Sequence, residues 1–228
     1  LTNGNCVIAW TSDSNTNMYH MIVNSTGGSV LAATSVGQTY VGASYRDSLS
    51  ICAREDGNYC LLQSYSGGYY FYIFSGTDGS IVAYDANASL SGGALFGSWM
   101  TRDSNNQINI FMLNSGYVYH MTVASGATNL QNLTSIFQNS DMASFGGGSG
   151  QLGAGTYNYG MLRAHCISGT TKNIVYVNVS YGGMDRLLYI NSDGSEAAGA
   201  QVIGGVACNG FVRGGSFVEV TNDVRFYT

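Results

Sequence analysis

The sequence predicts an all-β protein built from repeats, and three observations lead to that class. The chain has 228 residues, of which 45% are hydrophobic and 9% charged, so it has enough apolar surface for a core. It contains 32 glycines and 17 tyrosines but no proline. Aromatic residues suit pleated strands, and glycine supplies the positive φ of tight turns. A turn-rich polar stretch followed by two short strands recurs four times, starting from Asn3, Asp56, Asp103 and Gly169.

The strands of each repeat are predicted from runs of apolar and aromatic residues that end in turn residues. The third strand is the clearest, at 18–23, 69–74, 118–123 and 185–190, and each copy runs into a turn rich in Ser, Gly or Asp. Fourth strands are predicted at 29–31, 80–84, 129–136 and 196–203, and opening strands at 39–46, 94–100 and 156–166. Four antiparallel strands at a period of about 50 residues are typical of a propeller blade.

The predicted domain organisation is a single β-repeat domain, part of a longer chain, with units at 1–37, 38–91, 92–140 and 141–204 and a closing segment at 205–228. The first unit lacks an opening strand, and 206–213 is predicted to be a spare strand that completes it. Residues 216–228 are predicted to form a further hairpin or the start of a fifth unit. The predicted fold is a β-propeller-like array of four-stranded antiparallel units, with an open stack and a β-sandwich as alternatives.

Composition excludes two classes of partner. The net charge is −5, and Lys172 is the single lysine beside seven arginines. The basic surface that nucleic-acid binding requires is therefore missing. No apolar run approaches the roughly 18 to 20 residues of a membrane-spanning helix, so we expect no membrane insertion.

The five cysteines predict two disulfide pairings. Cys52 and Cys60 flank an Asp-Gly hairpin turn that would bring facing strands within bonding distance. The alternative for this pair is two small buried thiols. If 206–213 completes the first unit, Cys208 would lie near Cys6. A disulfide would indicate an oxidising compartment.

Residues 1–10 (LTNGNCVIAW) resemble the L-x-N-G-x-hydrophobic-V-hydrophobic-x-W repeat of large secreted bacterial surface proteins, and they are also similar to repeats of marine phage tail-fibre proteins. The resemblance covers about residues 1–40. Later repeats keep the turns and strand order but carry Gln63 or Phe111 in place of Trp10. In both groups the units are taken to form propeller-like structures displayed outside a cell or on a virion. The resemblance implies an extracellular or virion-surface module for structure or attachment.

The positions of the acidic residues and histidines favour structural roles over catalytic ones. Most aspartates precede glycine or follow polar turn residues, where the side chain caps its own backbone. No pair of carboxylates shows the relation that a glycosidase needs, and we expect no enzyme. His20 and His120 occupy equivalent repeat positions, which favours a shared structural role over a metal pair. Asp13, Asn15 and Asn17 alternate like the first half of a calcium loop, and a plain polar turn is the alternative to structural calcium.

Tyrosine is the residue type most suited to ligand binding in this chain. An aromatic ring with a hydroxyl suits sugars and protein partners alike, although packing between units is the alternative role. The candidate ligand-binding residues are Tyr69, Tyr70, Tyr72, Tyr117 and Tyr119. We expect a non-enzymatic attachment module whose partner is a cell-surface glycan, a protein receptor or other subunits of a fibre. A secreted lectin with a sugar pocket in each repeat is the alternative function, and a glycosidase or lyase propeller is a less favoured third.

Overall fold

The all-β prediction is confirmed by a computed structural model. It describes residues 1–12, 17–36, 49–65, 68–87, 95–114, 117–138, 160–179, 185–203, 216–220 and 223–227. These residues form seventeen strands, and every strand pairing between them is antiparallel. The part of the chain that is described contains no helix long and apolar enough to cross a membrane.

The strands form four sheets and a hairpin in chain order, and within each sheet neighbouring strands are consecutive in sequence. Sheet 1 contains β1 (Cys6–Thr11), β2 (Met18–Val23) and β3 (Ser29–Ser35). Sheet 2 contains β4 (Leu49–Ala53), β5 (Tyr59–Tyr65), β6 (Gly68–Phe74) and β7 (Ile81–Asn87). Sheet 3 contains β8 (Leu95–Arg102), β9 (Ile108–Asn114), β10 (Tyr117–Val123) and β11 (Gln131–Gln138). Sheet 4 contains β12 (Gly160–Cys166), β13 (Lys172–Val179), β14 (Asp185–Asn191) and β15 (Glu196–Ile203). The hairpin pairs β16 (Ser216–Val220) with β17 (Asp223–Tyr227).

The predicted strand positions agree best for the third strand of each repeat, which β2, β6, β10 and β14 match to within one residue at either end. The opening strand of sheet 2 is β4, whereas the predicted 39–46 lies outside the described residues. The predicted spare strand at 206–213 also lies outside them. The final hairpin is confirmed as β16 and β17.

The turns that open each repeat form because a side chain caps the backbone and a glycine follows it. Asp56 accepts a 3.0 Å hydrogen bond through Oδ1 from the backbone N–H of Asn58. Asn3 accepts an equivalent 3.0 Å bond from Asn5 in the first repeat. Gly57 and Gly4 follow these capping residues with φ of 83° and 81°, a conformation that other residues rarely adopt. The same chemistry therefore fixes two separate turns.

Three further aspartates cap turns in the same way. Asp78, Asp103 and Asp193 each accept a hydrogen bond from the backbone N–H two residues later, at 3.1, 2.8 and 2.9 Å. These short side chains satisfy turn N–H groups that the sheet does not use. The interpretation of these aspartates as turn residues is confirmed.

Successive sheets pack face to face, so the core consists of three apolar layers. Alternate side chains of β6 pack in two different layers, because successive residues of a strand point to opposite faces of the sheet. Phe71 and Ile73 pack against sheet 3, whereas Tyr72 and Phe74 pack against sheet 1. A third layer between sheets 3 and 4 contains Phe111, Leu113, Val118, Leu162, Ala164, Val175, Val177, Leu188 and Ile190. The central strands of sheets 2 and 3 are therefore buried on both faces.

His20 and His120 lie in different layers, and each is buried and hydrogen-bonded. Nδ1 of His20 in sheet 1 lies 2.6 Å from the hydroxyl of Tyr59 in sheet 2. Nε2 of His120 in sheet 3 lies 3.0 Å from Oδ1 of Asn109, whose amide donates to Ser192 Oγ of sheet 4 at 3.2 Å. His20 and His120, which occupy equivalent positions in two repeats, therefore each make a polar contact at or beside a different sheet interface.

Acid should weaken the fold through His120. Burial lowers the pKa of His120 to about 4, from an ordinary value of 6.5. The unfolded chain therefore binds more protons than the folded chain between these values. The contribution of His120 to the free energy of unfolding should level off above about pH 7 and fall by about 3 kcal/mol as the pH drops to about 4.

This pH dependence can be measured by urea denaturation of the wild type and of His120→Gln between pH 4 and pH 7. Titration of the remaining groups is common to both proteins and cancels in the difference. As the pH falls, the free energy of unfolding of the wild type should decrease more than that of His120→Gln. Parallel pH profiles for the two proteins would show that His120 is not the group responsible.

Candidate functional site

The opening strands of the sheets lie together and border one cleft. β8 contacts β4 on one side and β12 on the other, and β12 also contacts β16. The cleft has a volume of about 360 Å³. Its wall includes Cys52 of β4, Trp99 and Arg102 of β8, Arg163 and His165 of β12, and Phe217 of β16.

Arg163 and Trp99 form a cation–π pair at the wall of this cleft. The guanidinium carbon of Arg163 lies 4.7 Å from the centroid of the Trp99 ring. Its Nη1 donates a 2.9 Å hydrogen bond to the backbone carbonyl of Leu162. Trp99 in turn packs against the apolar layer between sheets 3 and 4. These contacts hold the guanidinium in a defined orientation, as stacked arginines are in binding sites.

The hairpin is attached to sheet 4 through one carboxylate. Glu219 accepts hydrogen bonds from His165 Nε2 at 2.9 Å and from the backbone N–H and hydroxyl of Ser168 at 3.2 and 2.8 Å. The bonds from His165 and then Ser168 lower the pKa of Glu219. The Phe217 ring stacks on His165 with centroids 5.8 Å apart. The hairpin thereby contributes an aromatic side to the cleft.

The nearby carboxylate of Asp103 is also occupied by hydrogen bonds from the protein. Its Oδ1 accepts from the backbone N–H groups of Asn105 and Gln107 at 2.8 and 3.0 Å. Arg102 is exposed and makes no ion pair with any residue that the structure describes. Arg102 therefore places an exposed positive charge at the cleft.

The thiols that border the cleft are not activated nucleophiles. Burial raises the pKa of Cys52 and of Cys166 to about 11 in each case. A thiolate is the reactive form, and a thiol with this pKa is almost fully protonated at neutral pH. Neither side chain is therefore suited to thiol catalysis.

The predicted Cys52–Cys60 disulfide is not formed in this structure. The two residues face each other in the pairing of β4 with β5, as the hairpin predicted, but both are free thiols. Cys60 is fully buried in the layer between sheets 2 and 3, and burial raises its pKa to about 12. The alternative of buried thiols fits its packing. Cys6 is an exposed free thiol, and Cys208 lies outside the described residues.

The tyrosines predicted to bind a ligand lie mainly in the core. Tyr69 and Tyr119 are 4% and 6% exposed between sheets 2 and 3, and Tyr72 is 5% exposed between sheets 1 and 2. Their burial corrects the expectation of an exposed aromatic surface, because the alternate faces of these strands meet neighbouring sheets. Tyr70 is half-buried and packs against the layer between sheets 1 and 2. The side chain of Tyr117 is outside the described part.

The candidate calcium loop is only partly described. Asp13 and Asn15 lie outside the described residues, and the backbone carbonyl of Asn17 accepts a 2.9 Å bond from the N–H of Ser12. Within the described ranges, no group of three or more His, Cys, Asp or Glu side chains is placed to hold a metal ion.

Sequence reasoning did not identify the cleft residues Trp99, Arg102, Arg163, His165 and Phe217 as a site. One signal was available in the sequence. Trp99 is one of only two tryptophans, and Trp99, Arg102 and Arg163 all lie on opening strands. Their meeting depends on how opening strands from different sheets assemble. A pattern within one repeat does not contain that information.

Comparisons with known proteins find similarity in fold among solved structures. No family model matches the chain, and no curated protein is similar in sequence. A solved structure described as the Dos1 propeller is similar with a TM-score of 0.45 and 8% sequence identity. The similarity covers 86% of this chain and 46% of that structure, so this chain spans less than half of its length.

Proposed function

We propose that the chain is a non-enzymatic recognition module of β-propeller type that binds its ligand in the cleft between the opening strands. The observation that carries this proposal is the composition of the cleft, where Arg163 on Trp99 meets Arg102, His165 and Phe217. Sites that bind small molecules combine aromatic walls with a few positioned polar groups in this way. The module would act in attachment or receptor recognition on a virion or outside a cell, as tail-fibre proteins and adhesins do.

The arrangement of the sheets supports a propeller over a sandwich. Sheets 1 to 4 are meanders that follow one another in sequence, and each packs on the next through a separate apolar layer. A sandwich would have one layer between two sheets, whereas propeller blades pack in succession with one strand of each blade near the axis. In this interpretation the cleft lies at the axis and the hairpin begins a fifth blade.

The chemistry of the cleft favours binding over catalysis. Its thiols have a pKa of about 11, and Glu219 is engaged by His165 and Ser168. A general base needs a free lone pair directed at substrate, and a nucleophilic thiol needs a lowered pKa. The lectin alternative, with one sugar pocket in each repeat, has less support because Tyr69 and Tyr119 occupy equivalent buried positions.

A panel of immobilised cell-surface glycans and receptor-bearing cells, probed with the labelled chain, tests this function. We expect binding at one ligand per chain without turnover. Phe217→Ala should weaken it about tenfold by removing one wall of the cleft. Tyr84→Ala is the matched control, because Tyr84 is an exposed aromatic residue outside the cleft.

Three results would contradict the proposal. Failure to bind any glycan or cell would remove the recognition role. Several equivalent sites per chain would favour the lectin with a pocket in each repeat. Chemical conversion of a bound saccharide would establish the enzyme alternative.

A further inference from the structure

We infer that two copies of this chain associate through the face of sheet 1 that points away from sheet 2, in a dimer with two-fold symmetry. Burial alternates along β2, where Met18, His20 and Ile22 are buried toward sheet 2 and the residues between them are only half-buried. The side chains of β1 and β2 that point the other way form the outer face of sheet 1: Cys6, Ile8, Trp10, Tyr19, Met21 and Val23. In the part of the chain that the structure describes, none of the three apolar layers includes a residue of this face.

The same pattern of side chains is covered by a neighbouring sheet elsewhere in this chain. The Tyr-His-Met-x-Val run of β2 recurs in β10, where Tyr119, Met121 and Val123 are 6%, 1% and 0% exposed because sheet 2 packs on them. Ile110 pairs with Met121 in that sheet and is fully buried. Its equivalent in sheet 1 is Ile8, which is 45% exposed. A face that packs against another sheet in one repeat is therefore open in the first repeat.

The surface that matches this open face is the same face of a second copy. The facing sides of sheets 1 to 4 already meet in the three layers, and the far side of sheet 4 meets the hairpin, where Phe217 stacks on His165. A second copy offers the outer face of its own sheet 1, and contact of a surface with itself is what a two-fold axis produces. Self-contact brings no like charges together, because the described residues of sheet 1 include no Asp, Glu, Lys or Arg side chain.

The dimer should be weak, because the outer face is small. Its three strands have six or seven residues each, so the face extends about 20 Å along the strands and about 15 Å across them. Two such faces lie at the lower end of specific interfaces, at about 1,200 Å² in total. We expect half of the chains to be dimeric at a concentration of about 10 to 100 µM. The outer face does not border the cleft, so ligand binding is not required.

Sedimentation velocity from about 1 µM to about 300 µM, a range that brackets this midpoint, measures the association. The weight-average mass of the wild type should rise from that of one chain toward that of two. Ile8→Asp should weaken association about tenfold or more, because it places a carboxylate in a neutral apolar interface. Ile81→Asp is the matched control, since Ile81 is an exposed strand isoleucine of β7 and should leave association unchanged.

Two further variants keep the test decisive. Ile8→Thr retains a β-branched side chain that suits a strand, and it should weaken association by about threefold, which measures the face even if Ile8→Asp does not fold. Val218→Asp changes a residue of the hairpin that is 44% exposed, and it should have no effect on a dimer formed by sheet 1 alone.

A mass of one chain throughout the concentration range would overturn the inference without any variant. Association of folded Ile8→Asp or Ile8→Thr at wild-type strength, or equal weakening by Ile81→Asp, would overturn the assignment to the outer face of sheet 1. Weakening by Val218→Asp as large as that by Ile8→Asp would show that sheet 1 packs on the hairpin of the next copy, which contradicts the two-fold arrangement.

Discussion

Replacing Gly76 with alanine should destabilise the protein by about 3 kcal/mol, the upper end of the usual cost of overpacking. Gly76 is buried in the turn between β6 and β7. A Cβ atom there would lie far inside van der Waals contact with the carbonyl oxygen of Gly57 and 2.7 Å from Leu1 Cδ1. The Gly57 oxygen belongs to the backbone of the β4–β5 turn, so relief requires movement of one of the two turns. Urea denaturation measures the loss directly.

Gly97→Ala is the matched control for this substitution. Gly97 is also buried, but a Cβ at this position would meet Leu162 at 3.7 Å, an ordinary contact. We expect a change within about 1 kcal/mol, with either sign. Equal stabilities of Gly76→Ala and Gly97→Ala would contradict the close approach of the two turns in sheet 2.

Replacing Phe111 with alanine should cost about 3 to 5 kcal/mol, the range for truncating a buried phenylalanine. Phe111 is fully buried in the layer between sheets 3 and 4, and its ring stacks on His120 with centroids 5.0 Å apart. Truncation removes apolar contacts from both sheets and leaves a cavity that the strands cannot close without shifting. The midpoint of urea denaturation should fall accordingly.

Ile81→Ala provides the comparison for Phe111→Ala. Ile81 is 57% exposed on β7, so its truncation should cost no more than about 0.5 kcal/mol. If Phe111→Ala were as mild as Ile81→Ala, the face-to-face packing of sheets 3 and 4 would be wrong.

Local chemistry explains which strands and turns the sequence predicts. The third strands run directly into turns with glycine or capping Asn and Asp side chains, and both signals lie within a few residues. β4 has only five residues, LSICA, with no clear alternation, and the aromatic stretch before it resembles a strand more closely. Its position depends on pairing with β5, which local patterns do not specify.

The assignment of the tyrosines shows why the site was harder to predict. A period of two separates the faces of a strand, but it does not tell whether a face meets water or another sheet. Tyr69 and Tyr72 point to opposite faces of β6, and both faces are covered. The cleft residues were missed for a related reason: Trp99, Arg163 and Phe217 lie more than 50 residues apart in sequence, and only the assembly of sheets brings them together.

The central claim is that recognition takes place at the cleft, and the emission of Trp99 tests it most directly. The chain has two tryptophans, and Trp10 stacks on Tyr19 of sheet 1, away from the cleft. The variant Trp10→Phe therefore leaves Trp99 as the single tryptophan, with a phenylalanine ring in place of Trp10. Titration with a glycan that the panel identifies should change the emission of Trp99 saturably, with an end point at one ligand per chain. Binding that leaves the emission of Trp99 unchanged would contradict the claim that the cleft is the recognition site.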